Sequence, residues 1–231
     1  MRLFSGNNLF TRLMNQIGIL FFANLCFILC CLPVVTAGAG FSALYYTMLC
    51  SLRENGDIKP VKTFWTGLKE NFRQATLSWL VLLLLAVLVY LEIFWCNQFT
   101  GPIMAFRYGL YAIGLVLAIF AVYLFPVIAA FRGTLPQLLK NCIGFAFSKP
   151  AVILGLLFLN VVPMAWTFFT DAYLPLYAFL WCTIGFSGTA MLCSKMLLPL
   201  FSPYLTEETD GIRLPEKTEK QILEEMRKLD L

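Results

Sequence analysis

The sequence predicts an all-α protein, a polytopic bundle of six transmembrane helices arranged as three helical hairpins. Hydrophobic residues make up 60% of the 231-residue chain and charged residues only 13%, about half of the ~25% typical of a soluble domain. The apolar runs are long enough to cross a bilayer core of ~30 Å as helices. Lysine and arginine cluster between these runs, as cations that determine membrane topology do.

The chain is organised around an uncharged stretch from Leu13 to Leu52. At ~40 residues, this stretch is about twice the ~20 that one helix needs to cross a bilayer. Proline and glycine interrupt helices, so the run from Pro33 to Gly40 predicts a break between two segments. The first segment, residues 14–32, is an ordinary span, whereas the second, residues 37–52, is short and covers only ~24 Å.

The break supplies the first set of candidate functional residues. These hinge or packing residues are Pro33, Thr36, Gly38, Gly40 and Ser42. Thr36, Ser42 and free backbone groups would line a polar cavity in a transporter, where discontinuous helices form the binding site. In the other interpretation, the small residues four apart let helices approach closely. Both interpretations are open at the level of sequence.

A charged loop at residues 53–74 follows, and from Val61 its apolar residues have helical spacing. We predict an amphipathic helix lying on the inner membrane surface, with its tryptophan at headgroup depth. The candidate residues of this helix are Phe64, Trp65, Lys69, Asn71 and Phe72. Residues 75–95 then form the third span.

Two further hairpins complete the predicted domain. Residues 108–131 form the fourth span, and a basic loop at 132–149 contains a second candidate surface helix. The last two spans are residues 151–170 and 172–194. We assign residues 1–205 to the transmembrane domain and 206–231 to a polar cytoplasmic tail that carries a short amphipathic helix.

The distribution of cations determines the predicted orientation. If residues 37–52 cross the bilayer, all 17 lysines and arginines except Arg107 lie on one side. If that segment only dips in and returns, the loop at 53–74 lies opposite the basic N-terminus and the bias collapses. Cytoplasmic loops are enriched in lysine and arginine, so we predict six crossings with both termini cytoplasmic.

Few residues have a pattern typical of catalysis or of cofactor binding. The chain has no histidine, and its eight cysteines form no C-x-x-C motif, so we expect no enzymatic activity, metal or cofactor. The dispersed cations are not a nucleic-acid patch. Glu92, Arg107 and Asp171 are a candidate polar cluster on the outer face, or else interfacial anchors. We expect the mid-span Asn24 and Asn160 to form hydrogen bonds across helix interfaces.

Four blocks of sequence resemble the YesL family of bacterial membrane proteins. They are Leu32-Pro-Val-Val-Thr-Ala-Gly38 with Ala43-Leu-Tyr-Tyr46, then Phe64-Trp65, and then Lys69-Glu-Asn-Phe-Arg-Gln74. The resemblance covers roughly residues 3–205 and implies a multi-pass protein of the bacterial plasma membrane. Members of that family are often encoded beside carbohydrate ABC importers, and the family supplies no catalytic residues.

The resemblance therefore implies a non-enzymatic accessory protein of an oligosaccharide ABC importer. Its partners would be the lipid bilayer and the permease or ATPase subunits of the transporter. The alternative is a small solute carrier or channel that acts on its own. The sequence leaves the solute and the oligomeric state open.

Overall fold

The computed structural model describes residues 9–98, 106–131, 133–169 and 173–205. Within these ranges the chain is almost entirely helical and contains no β-strand. Six helical segments in the described ranges are long and apolar enough to cross a membrane, which confirms the predicted all-α bundle. The predicted tail helix within residues 206–231 lies outside the described residues.

Eight α-helices follow one another along the described chain, together with a 3₁₀ turn and a π-helical turn. They are α1 (Leu9–Cys31), the 3₁₀ turn (Val34–Thr36), α2 (Ala37–Arg53), α3 (Pro60–Cys96), α4 (Phe106–Ala130), α5 (Leu135–Ser148), α6 (Pro150–Phe169), α7 (Leu174–Leu180), the π-helical turn (Trp181–Gly185) and α8 (Phe186–Leu205).

Helix α2 is the centre of the bundle. Its residues from Ala37 to Ser51 are almost all buried, and it packs against α1, α3, α4 and α8. The segment that contains α2 has a mean hydropathy of only 1.2, and 78% of it is buried. Small residues in its first turns let neighbouring helices approach closely. Its low hydropathy therefore reflects contact with other helices rather than with lipid.

The break between α1 and α2 is shorter than the predicted Pro33–Gly40 run. The Thr36 backbone N–H donates to the Pro33 carbonyl at 3.0 Å, which closes a single 3₁₀ turn, and the Thr36 hydroxyl donates to the Cys30 carbonyl at 2.6 Å. The helix resumes at Ala37, so Gly38 and Gly40 are helical. Both glycines therefore lie within the predicted second segment, and their close contacts favour the packing interpretation of the two that the sequence left open.

Helix α3 corrects the prediction of a separate surface helix at residues 61–74. It is one helix of 37 residues from Pro60 to Cys96, about 55 Å long at 1.5 Å per residue. No proline or glycine follows Gly67 within it, so nothing in the backbone ends the helix before the third span. Packing of Phe64 and Leu68 in the bundle interior also holds its first half in line with the rest.

Helix α5 confirms that the second basic loop contains a helix of its own. A capping box formed by Thr134 and Gln137 begins this helix, and it satisfies backbone donors that a helix start leaves free. Phe145 stacks on Phe131 at a centroid distance of 5.6 Å and lies 5.1 Å from Phe201. The apolar face of α5 therefore packs on the ends of α4 and α8.

The last span is longer and less regular than predicted. The chain is helical from Leu174 to Leu205, with the π-helical turn between α7 and α8, whereas the sequence predicted a span ending at Ser194. Lys195 lies exposed on α8 and does not end the helix. Burial of Leu197 and Phe201 in the core stabilises the additional turns.

The buried residues of α3 lie in its first half, and almost all of those of α4 lie in its second half. No residue of α3 beyond Ser78 is buried, and in α4 only Leu110 is buried before Tyr123. We call residues 80–96 and 106–122 the α3–α4 arm. Its two helical segments contact each other, since Val89 Cγ1 lies 3.9 Å from a Cβ placed on Gly114. Large apolar side chains such as Leu84 and Leu88 are exposed along it.

Candidate functional site

The glycines of α2 mark two close helix contacts. A Cβ atom on Gly38 would lie 2.8 Å from the Ala75 carbonyl oxygen and would also collide with the Trp79 side chain. A Cβ on Gly40 would lie 3.2 Å from Cys30 Cβ. These distances give both glycines a packing role, toward α3 and toward α1 respectively.

The other residues of the candidate hinge have different surroundings. Trp79 donates its indole N–H to the Val34 carbonyl at 2.8 Å, which fixes the 3₁₀ turn on α3. The Thr36 hydroxyl is occupied by its contacts with the carbonyls of Cys30 and Pro33. The buried Ser42 hydroxyl has no hydrogen-bond partner among the described residues. Of the five candidates, Ser42 alone therefore has an unused polar group.

The predicted surface residues of α3 divide between two faces. Phe64 and Asn71 are fully buried, whereas Trp65, Lys69 and Phe72 are exposed. The prediction that these residues belong to one helix on the membrane surface was wrong for Phe64 and Asn71, because both side chains are buried inside the bundle. Neither polar atom of the Asn71 amide has a partner in the described part of the chain.

The candidate outer polar cluster is described only in part. Glu92 is exposed near the end of α3. Arg107 Nη2 donates to the Tyr108 hydroxyl at 3.3 Å, and its guanidinium lies 5.1 Å from the centre of that ring. Asp171 lies outside the described residues, so the three-residue cluster stays a prediction.

Asn24 supports the π-helical turn of the last span. Its amide N–H groups donate to the carbonyls of Trp181 at 2.9 Å and Cys182 at 2.8 Å. Its side-chain oxygen accepts the backbone N–H of Ser187 at 3.0 Å. A π-turn frees backbone groups that lipid cannot satisfy, and this one side chain satisfies three of them. The predicted hydrogen bonding of Asn24 across a helix interface is confirmed.

A second polar cluster lies in the bundle interior between α2, α6 and α8. Asn160 donates to the Leu156 carbonyl at 2.8 Å within α6 and contacts Cys193 Sγ at 3.3 Å across the interface. Tyr45 is buried and lies beside both Asn160 and Cys193. The interhelical contact of Asn160 was predicted, whereas the participation of Tyr45 and Cys193 was not.

A small cavity adjoins this second cluster. Its volume is about 150 Å³, and Tyr45, Asn160 and Thr189 supply polar groups to a wall that is otherwise mostly apolar. Trp181, the first residue of the π-helical turn, lines the same cavity. The sequence signals for this site were the mid-span position of Asn160 and the position of Tyr45 within the Ala43–Tyr46 motif. The arrangement can hold a small solute or several water molecules.

Six membrane-length apolar helical segments in the described ranges, one of which contains the buried central helix α2, define the chain as an all-α, multi-pass membrane protein. Residues 19–93 match a protein family described as "Protein of unknown function, DUF624". The matched residues include the α1–α2 break and the motif blocks from Leu32 to Gln74. No curated protein and no solved structure matches the chain.

Proposed function

We propose that this chain is a non-enzymatic accessory subunit of a carbohydrate ABC importer in the bacterial plasma membrane. The proposal combines the resemblance of the motif blocks with one structural observation, the α3–α4 arm. Large apolar side chains that no other part of the described chain covers are suited to a partner's transmembrane helices. The buried, closely packed α2 favours a scaffold of fixed shape over a moving transport element.

The arm provides the surface on which the partner would pack. Leu84 is 59% exposed and Leu88 is 48% exposed, and they lie four residues apart on one face of α3. Association of helices in lipid depends on van der Waals packing more than on the hydrophobic effect. Shortening these side chains would therefore weaken association while leaving the surface compatible with lipid.

Co-purification tests the proposal. The tagged protein, extracted from its native membrane in mild detergent, is expected to retain permease and ATPase subunits of a carbohydrate importer, quantified by mass spectrometry. The double variant L84A/L88A is expected to retain at least fivefold less. The matched control is L25A/L29A on the exposed face of α1, where Leu25 and Leu29 are 45% and 58% exposed. Absence of importer subunits from the wild-type sample would refute the proposal.

A small carrier is the second candidate function. It is favoured by the 150 Å³ cavity beside Tyr45 and Asn160 and by the adjacent π-helical turn, since interrupted helices with polar groups form transporter sites. Solute flux into liposomes that contain only this protein would select this function. Flux that persists in Y45F and N160L variants would show that the cavity is not the pathway.

The proposed orientation has its own test. A green fluorescent protein fused after residue 57 is expected to fluoresce, because the turn between α2 and α3 would lie in the cytoplasm. A fusion after residue 98, at the far end of α3, is expected to be dark and to give an active alkaline phosphatase instead. Alkaline phosphatase activity at residue 57 would contradict six crossings with a cytoplasmic N-terminus.

A further inference from the structure

A cleft of about 580 Å³ opens between α1, the end of α2 and α8. Two cations, Arg12 and Lys195, line it, and the described residues of its wall include no carboxylate. The two cations come from helices that are far apart in sequence, so the fold brings them together. A site with this charge attracts an anion.

The rest of the wall is apolar and reaches the lipid-facing surface. Leu13 and Leu192 line the cleft and are 52% and 48% exposed. Arg12 directly precedes the uncharged stretch of α1, so the charged part of the cleft lies where the apolar part of that helix begins. An occupant would meet cations at one end and hydrocarbon-compatible side chains along its side. That combination fits an amphiphile better than a fully hydrated ion.

Two uncharged donors in the wall lack a strong acceptor. The Ser51 hydroxyl is buried, with the residue only 1% exposed, and has no hydrogen-bond partner among the described residues. Gln16 donates its amide N–H to Met191 Sδ at 3.9 Å, and a thioether is a weak acceptor. Phosphate oxygens are strong acceptors for such groups and for the two cations.

The wall that carries Ser51 is held in place by the turn after α2. Asn55 and Gly56 have positive φ angles of 51° and 86°, a conformation that asparagine and glycine tolerate best. The Gly56 N–H donates to the Ser51 carbonyl at 2.8 Å, and the Asn15 side chain donates to the Gly56 carbonyl at 2.6 Å. The α2 end is therefore tied to α1, and the cleft has a defined shape.

We propose that this cleft binds the phosphate-bearing headgroup of an anionic phospholipid. The phosphate lies between Arg12 and Lys195, and the acyl chains run along Leu13 and Leu192 into the bilayer. Basic pockets between transmembrane helices at the membrane surface bind such headgroups. The site is independent of any partner that packs on the α3–α4 arm.

The test measures lipid retention by the full chain. Protein purified in detergent and exposed to mixed micelles of phosphatidylglycerol and phosphatidylcholine is expected to retain phosphatidylglycerol selectively in native mass spectrometry. A surface cation contributes about 1 kcal/mol to binding of an anionic lipid, so R12Q and K195Q are each expected to weaken retention about fivefold. K195R preserves the charge and is expected to retain the lipid.

The control and the competing anion separate the alternatives. K69Q removes an exposed cation of α3 that does not line the cleft, and it is expected to leave retention unchanged. An equal loss in K69Q, or no loss in R12Q/K195Q at unchanged melting temperature, would refute the site. Displacement of the lipid by millimolar inorganic phosphate would assign the cleft to a soluble phosphate and overturn the lipid assignment.

Discussion

Replacing Gly38 by leucine is expected to prevent stable assembly of the bundle. Even the first added carbon would lie 2.8 Å from the Ala75 carbonyl oxygen and would collide with the Trp79 side chain. The carbonyl belongs to the backbone of α3, so it can move only if the helix moves. Because α2 contacts four other helices, such a shift would disturb the whole core. Overpacking of this kind costs about 1–3 kcal/mol or more.

The measurement is thermal unfolding in detergent, together with the fraction of protein that elutes as a single species. Gly18 provides the matched control, since nothing lies within 4 Å of a Cβ placed there. Leucine is a better helix former than glycine, so G18L is expected to be at least as stable as the wild type. Equal melting temperatures for G38L and G18L would show that α2 and α3 do not approach as closely as described.

Gly67 of α3 is the second glycine that the α2–α3 contact needs. A Cβ there would lie 2.6 Å from Tyr46 Cδ1 and 2.9 Å from Tyr46 Cβ. Tyr46 belongs to the motif that carries the family resemblance, and Gly38 belongs to the same run of sequence. The motif therefore encodes the α2–α3 interface at two positions, one in the first turn of α2 and one near its middle.

The number of spans could be predicted because length and charge determine it locally. An uncharged stretch such as Leu13–Leu52 must be accommodated in lipid, and Pro33 identifies the place where it turns. Boundaries that depend on tertiary packing could not be predicted in the same way. The cations from Lys62 to Arg73 resemble a surface helix in sequence, but the burial of Phe64 and Asn71 makes this segment part of α3.

The polar residues inside the bundle could also be predicted only in part. The positions of Asn24 and Asn160 within apolar runs indicated hydrogen bonds between helices, and the structure contains them. The partners could not be identified, because Ser187 lies far from Asn24 in sequence. The cleft lined by Arg12 and Lys195 could not be predicted for the same reason, because the two residues are far apart in sequence. Each cation taken alone has the pattern of a residue at the membrane surface.

Replacing Asn24 by leucine is expected to produce the second large loss of stability. The substitution preserves the approximate volume but leaves the carbonyls of Trp181 and Cys182 and the N–H of Ser187 without their partner. Hydrogen bonds between membrane helices contribute on average about 0.6 kcal/mol each and at most about 1.7. Three such bonds to one fully buried side chain give an expected loss of about 2–4 kcal/mol.

The comparison with N160L makes this result specific. Asn160 donates to Leu156 of its own helix, and that carbonyl keeps its place in the α-helical ladder when the amide is removed. N160L is therefore expected to lose less stability than N24L in the same unfolding assay. Hydrogen exchange supplies a local measurement, because the Ser187 amide should exchange faster in N24L and at the wild-type rate in N160L. If both variants lost the same stability, or if exchange at Ser187 stayed unchanged in N24L, Asn24 would not be what stabilises the π-helical turn.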